Sequence, residues 1–232
     1  MGDVASEVSV DENMAALIDH TLLRPEADAP EIDRLCAEAL RFGFAAVCVQ
    51  PRWVARAARA LAGSRVAVAS VVAFPHGANV TAIKAAEAAR ARDDGATELD
   101  VVADLGAIRA GDDAAVRDEI AAVVEAARGA AVKVILETTL WSPERMTAAA
   151  LAAVAGGAAF VKTSTGFLAG GATEDAVRAL RAAVGSSVGV KASGGIRTRA
   201  QALAMLAAGA SRLGASSSVS IVTAEAPASP AR

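Results

Sequence analysis

The sequence predicts a single-domain α/β protein with the (β/α)8 barrel architecture, and three observations carry that expectation. Short β-branched runs alternate with alanine-rich helical windows along nearly all of the 232 residues, the order expected of parallel strands joined by crossover helices. About eight such units fit the chain, a compact version of a fold that commonly runs to about 250 residues. Neither GxGxxG nor GxxxxGK[ST] occurs. That removes the usual nucleotide-binding reason for the main alternative, a doubly wound sheet of the same elements.

Strands are expected at Ile18–Leu23, Ala45–Gln50, Val66–Val72, Glu98–Val102, Val132–Glu137, Phe160–Lys162, Val188–Lys191 and Ser211–Leu213. Helical spacing fills Pro30–Phe42, Arg52–Leu61, Asn79–Asp94, Asp113–Ala127, Pro143–Ala155, Thr173–Ala183 and Thr198–Ala207. Ser142, Pro143 and Glu144 read as a cap, a first-turn proline and an acid that favours the helix N-terminus. Gly95-Ala96, Gly157-Ala158 and Gly209-Ala210 each fall between a helix and a strand, where glycine supplies a left-handed cap. The units are not close sequence repeats, which argues against a solenoid. The expected organisation is a flexible segment over 1–12, the barrel over 13–223, and a flexible tail over 224–232 with two prolines among small residues.

Composition narrows the function classes. Hydrophobic residues make up 54%, charged residues 21%, and the net charge is −3. This balance excludes a disordered chain and argues against a general nucleic-acid binder. Cys36 and Cys48 lack zinc-site spacing, and His20 and His76 lack ligand spacing, so neither a metal nor a disulfide framework is expected. The segment Met1–Glu12 has no apolar h-region, and no run of about 18 apolar residues occurs, so neither a secretory signal nor a membrane span is expected. The expectation is a soluble, cytoplasmic globular protein.

The lysines are the informative residues. The chain has only Lys84, Lys133, Lys162 and Lys191, its other basic side chains being arginine apart from two histidines. Lys84 sits in a helical window and is expected to be solvated. The other three lie on expected strands, where lysine is rarely buried unless paired. They either point outward or form structural ion pairs, or else their strands present them to the barrel mouth. In that last case lysine has a use that arginine lacks, because it can shed its proton and attack a carbonyl. Period-two alternation puts Glu98, Asp100 and Val102 on one strand face, so Asp100 can share the lysines' interior. A carboxylate beside two amines suits proton transfer around an imine. Downstream, Ser193-Gly194-Gly195 and Gly214-Ala215-Ser216-Ser217-Ser218 follow the last two strands. Paired small-residue loops there offer backbone N–H groups to a phosphate.

The residues that complete this pattern are Cys48-Val49-Gln50-Pro51, Val72-Ala73-Phe74-Pro75-His76-Gly77, Glu98-Leu99-Asp100-Val101-Val102 and Lys133-Val134-Ile135-Leu136-Glu137-Thr138. More specific are Phe160-Val161-Lys162-Thr163-Ser164-Thr165-Gly166-Phe167 and Val190-Lys191-Ala192-Ser193-Gly194-Gly195-Ile196-Arg197-Thr198. In this order they resemble the deoxyribose-phosphate aldolases, class I aldolases on a (β/α)8 barrel, from Leu17 to Val219. The resemblance implies Lys162 as the imine-forming lysine, Lys191 as its neighbouring amine and Asp100 as the acid/base carboxylate. It implies a phosphate held at Gly166, Gly194, Gly195, Ser216 and Ser217, with Asp19, Thr21, Cys48, Lys133 and Thr163 around the substrate. Cys48 has the rival reading of a small buried core thiol. The implied partners are a phosphorylated sugar and small aldehydes, with no cofactor, no metal, no nucleic acid and no membrane, and a homodimer as one assembly. Asp104 stands where the family often carries asparagine, an expected extra charge near the site. The chain has no tyrosine, so the resemblance carries over no tyrosine-assisted proton transfer.

Overall fold

The structure, a computed structural model, describes residues 11–223. Eight parallel strands close into a barrel in sequence order: β1 (Ile18–Leu22), β2 (Ala46–Val49), β3 (Ala67–Val72), β4 (Glu98–Val102), β5 (Ala131–Ile135), β6 (Phe160–Lys162), β7 (Gly189–Ser193) and β8 (Arg212–Ala215). Around them run α1 (Glu12–Ala15), α2 (Ala29–Phe42), α3 (Val54–Ala60), α4 (Thr81–Asp93) and α5 (Leu105–Ala110). The ring continues with α6 (Asp113–Ala126), α7 (Pro143–Ala155), α8 (Glu174–Val184), α9 (Arg199–Ala207) and α10 (Ser218–Thr223). Closure of β8 onto β1, with Asp19 opposite Gly214, rules out the doubly wound sheet.

Every expected strand and long helix is present, with ends displaced by a few residues. Ser142 caps α7 by accepting from the Arg145 N–H, with Pro143 and Glu144 in the first turn. Gly95, Gly157 and Gly209 have φ of 107°, 95° and 112°, the left-handed turn expected of them. The short α1 and α5 were not expected, since four to six residues give too little periodicity to read, while α10 is the helix start expected after the last small-residue loop. Residues 1–10 and 224–232, which hold most of the expected flexible segments, lie outside the described residues. Asp11 and Glu12 are the two residues of the first segment that the structure describes. Asp11 caps α1, donates its N–H to Val222 O and accepts from Arg199, which ties the chain's entry to α9 and α10. Among the described residues, no helix is long and apolar enough to cross a membrane.

Alternation along the strands sorts the interior. Outward residues such as Val47, Val101, Val134, Val161, Val190 and Leu213 join the helices in the main hydrophobic core. Inward residues divide by sector. On β2 and β3, Ala46, Cys48, Ala69 and Val71 form a small apolar cluster with Leu23. From β4 round to β1, the inward positions carry buried charge instead.

Lys84 is a correction to the expected solvated residue. It is fully buried. Its Nζ donates to Val102 O at 2.9 Å and pairs with Glu119 of α6 at 2.8 Å. Glu119 in turn accepts the Asp104 N–H at 2.9 Å. Burial pushes the Glu119 carboxyl above its usual range, against the pull of Lys84 and the Asp104 N–H. This pair clamps the C-terminal end of β4, and hence the strand that carries Asp100, to α4 and α6. Removing one partner leaves an uncompensated buried charge, a loss of about 3–5 kcal/mol. Glu119→Ala is therefore expected to lower the urea midpoint sharply, while Lys84→Met with Glu119→Leu recovers most of the loss. A Glu119→Ala variant as stable as wild type would show that the clamp contributes nothing.

Candidate active site

Parallel pairing brings the three strand lysines together. Lys162 stands opposite Lys191 in the β6–β7 register, and Asp100 opposite Lys133 in β4–β5. All four side chains point inward and are buried. Asp100 is their common partner: its Oδ2 accepts from Lys162 Nζ at 2.6 Å and from Lys191 Nζ at 2.6 Å, its Oδ1 from Lys133 Nζ at 2.8 Å. Asp19 lies on the far side, its Oδ2 accepting from Lys191 and, at 3.1 Å, from Lys133. Lys133 also meets Glu98 at 2.6 Å.

The same surroundings drive the amines apart. Burial disfavours the Lys162 ammonium, Lys191 adds repulsion, and the single carboxylate contact with Asp100 does not compensate, so its pKa falls below the usual lysine value. Burial also disfavours charge on Lys191, but Asp100 and Asp19 together outweigh it and hold its pKa above that value. Lys133, with three carboxylates around it, is raised further despite its burial. Burial alone would favour neutral acids at Asp100 and Asp19; the cations around them keep both well below the ordinary carboxyl range. The arrangement is thus one amine whose proton is loosened beside two whose protons are held more tightly, around carboxylates favoured in their ionised form.

A cavity of about 360 Å3 opens above this cluster at the C-terminal end of the strands. Lys162 lies at its base, with Thr21, Gly166, Gly194, Gly195 and Ser216 around it. Lys191, Asp100, Asp19 and Lys133 lie below, and Cys48 belongs to the apolar wall. Of the expected residues, Thr163 and Ser217 border neither the cavity nor the charged cluster. Thr163 Oγ1 donates to Ser193 O and accepts the Ser193 N–H, both at 3.0 Å, and so stitches β6 to β7. Ser217 turns into α10, its carbonyl accepting from Ile221 N and Ser220 Oγ. Asp104 is exposed and caps α5 through the Gly106 and Ala107 N–H groups, so it brings no charge to the cluster.

Close backbone approach dictates glycine at two points. A Cβ on Gly214 would sit 3.0 Å from both Lys191 Cε and Ser193 Cβ, so β8 leaves room for the lysine. A Cβ on Gly171 would fall 2.4 Å from Gly194 O, so the loops after β6 and β7 touch backbone to backbone. Several contributors carried no local signal. Glu137, at a left-handed φ of 52°, accepts from Thr165 N and Thr165 Oγ1 and so braces the loop before Gly166. Such a conformation costs about 1–3 kcal/mol in a non-glycine residue and persists when surrounding contacts hold it. Phe167 packs edge-on against Phe74 beside the mouth, with 5.1 Å between ring centroids. Arg212, the first residue of β8, sits on the barrel floor with Glu98 and Asp19.

The sequence profile of the DeoC/LacD family aldolases matches residues 13–221. The chain belongs to this aldolase family. It is 52% identical over 211 residues to a protein of Brevibacillus brevis named deoxyribose-phosphate aldolase, covering 91% of this chain and 96% of that one. A Listeria innocua protein of the same name is 47% identical over 218 residues, covering 94% and 98%. Among solved structures, the tetrameric deoxyribose phosphate aldolase from Aeropyrum pernix superposes with a TM-score of 0.85 at 36% identity. That superposition spans 90% of this chain and 89% of the other.

The two thiols of this family member behave as core atoms. Cys36 and Cys48 are free and buried. Burial pushes both up to about 11, with nearby carboxylates (Asp33 and Asp100) adding to the effect. At pH 8 only about one thiol in a thousand is then a thiolate. Native protein should resist iodoacetamide at pH 8, and both residues should be alkylated once urea unfolds it. Rapid native labelling of Cys48 would make it a reactive pocket thiol.

Proposed function

We propose that the protein reversibly cleaves 2-deoxy-D-ribose 5-phosphate to D-glyceraldehyde 3-phosphate and acetaldehyde through an imine on Lys162. The observation that carries this reading is the position of Lys162. Of the three strand lysines it alone borders the cavity, and it has the fewest carboxylate partners. The names and identities of the relatives support the same substrate.

In the synthetic direction, the neutral Lys162 amine adds to acetaldehyde, and loss of water gives an iminium ion. The iminium acts as an electron sink, so a proton leaves the adjacent carbon and an enamine forms. The enamine carbon attacks the aldehyde of glyceraldehyde 3-phosphate, whose oxygen takes up a proton. Water then hydrolyses the new iminium, which frees the sugar phosphate and restores the amine. Asp100, within hydrogen-bond reach of both Lys162 and Lys191, moves the protons. The imine supplies the electron sink, so the cycle requires no cofactor or metal. Gly166, Gly194, Gly195 and Ser216, which line the cavity, hold the phosphate through their backbone N–H groups in this reading. Asp19 and Lys133 hold Asp100 and Lys191 in place, and Thr21 borders the substrate. Under the same proposal the enzyme works in the cytoplasm, in deoxyribose phosphate breakdown, as a homodimer.

The test is borohydride reduction in the presence of acetaldehyde, followed by peptide mapping. The adduct should fall on Lys162. Lys162→Arg should abolish both trapping and turnover, because a guanidinium keeps its proton. A free lysine at pH 7 is neutral in about one molecule in a few thousand, so Lys191→Leu should trap slowly there and recover as pH rises toward 10. Gly195→Asp, which sets a carboxylate beside the phosphate, should depress turnover of the 5-phosphate by at least about tenfold, more than that of free deoxyribose. An adduct on Lys191, or equal wild-type activity on deoxyribose and its 5-phosphate, would overturn the respective assignment.

A further inference from the structure

The interior cluster holds one cation more than its carboxylates can neutralise. Its anions are Asp19 of β1 and Glu98 and Asp100 of β4. Its cations are Lys133 of β5, Lys162 of β6, Lys191 of β7 and Arg212 of β8. Cys48 of β2 adds a thiol that burial keeps neutral. At the mouth, the exposed Arg24 and Arg197 line the cavity that Lys162 borders.

The contacts alternate in sign from floor to mouth. Arg212 Nη1 donates to Asp19 Oδ1 at 2.6 Å and meets Glu98 at 3.2 Å, while its guanidinium lies 5.6 Å from the Phe160 ring centroid. Asp19 offers its other oxygen to Lys191 and Lys133. Asp100 then joins those two amines to Lys162. Arginine keeps its proton in any protein environment. Of the four cations, therefore, only a lysine can relieve the excess. Lys133 has three carboxylate partners and Lys191 has two, whereas Lys162 has one.

We propose that Arg212 is a positioning residue for Lys162: by occupying Asp19 Oδ1 on the barrel floor, it keeps the buried cluster one cation in excess and makes Lys162 the amine that stands neutral. Removing that charge leaves three lysines over three carboxylates. Asp19 then draws more on Lys191 and Lys133, and Asp100 is left to hold Lys162 in its ammonium form. Glu98 acts with the opposite sign, as the carboxylate whose loss increases the excess. Arg212 touches no substrate and acts only through Asp19 and the amines. The inference rests on the reading of Lys162 as the nucleophile.

The experiment is the pH dependence of acetaldehyde–borohydride trapping on the full chain, mapped to Lys162, in four variants. Arg212→Met should trap at least about tenfold more slowly at pH 7, with the midpoint of the profile moved up by about one pH unit or more. Its rate should rejoin that of wild type near pH 10, which also reports an intact fold. Arg212→Lys should keep the wild-type midpoint. Glu98→Gln should move the midpoint down. Arg212→Met combined with Glu98→Gln restores a single excess cation and should return the midpoint toward wild type. A wild-type adduct on any other lysine would refute the nucleophile itself. With the adduct on Lys162, an unmoved midpoint in Arg212→Met and Glu98→Gln would overturn the role of Arg212. Loss of trapping at every pH in both would likewise overturn it, as a purely structural effect.

Discussion

A carboxylate shared by three lysine amines inside a closed barrel is the constraint on which the rest of this structure turns. Asp100, Lys133 and Lys191 are fully buried, and Lys162 meets only the cavity. Charges in such surroundings are tolerated only when each is paired and hydrogen-bonded. Three lysines therefore need carboxylates at matching depth on neighbouring strands. The parallel register supplies them: Asp100 is level with Lys133, Lys162 with Lys191, and Asp19 with the side-chain-free Gly214. A slip of one residue in any of these strands would turn its charge into the helix layer. The charged sector and the barrel's closure thus require each other.

The supporting structure is built to keep that sector fixed. The apolar wall on β2 and β3 excludes water from one side. Outside the barrel, Lys84 and Glu119 fasten the end of β4, the strand on which both Glu98 and Asp100 ride. Above it, Glu137 accepts a strained backbone to hold Thr165, so the loop reaching Gly166 is carried by a buried side chain rather than by its own residues. Rigidity below and glycine-rich backbone above divide the labour. The charged groups keep their distances, while Gly166, Gly194, Gly195 and Gly214 line the cavity around them.

How much of this was legible in the sequence depended on whether the signal was local. The strands were legible because Val, Ile and Ala runs between glycine turns have few other readings. The three central lysines stood out because the chain otherwise uses arginine, and because a lysine in a buried strand demands a partner. Lys84 was misread because α4 is so rich in alanine that its buried and exposed faces barely differ, and because Glu119 lies on another helix. Arg212 fell at the first residue of a short strand, where period-two arguments have least to work with. Thr163 and Ser217 sat inside the right motifs, yet the side chain of one bonds across to β7 and the other feeds a helix. Sequence order gives a motif's neighbourhood; only the register and the turn geometry give the direction of each side chain.

Direction matters most for the amines, which are chemically identical and differ only in what surrounds them. From floor to mouth the cluster runs guanidinium, carboxylate, paired ammonium groups, carboxylate, and last an amine with a single anionic neighbour. An ammonium in the middle of such a row is stabilised from both sides. The terminal one has a carboxylate on one side and the cavity on the other. A buried charge with half its partners is the first to be discharged, so the residue bordering the cavity is also the residue whose lone pair is most readily freed. The ease of losing the proton is a property of position in the row, and a lysine moved one place inward along it would be held as a cation.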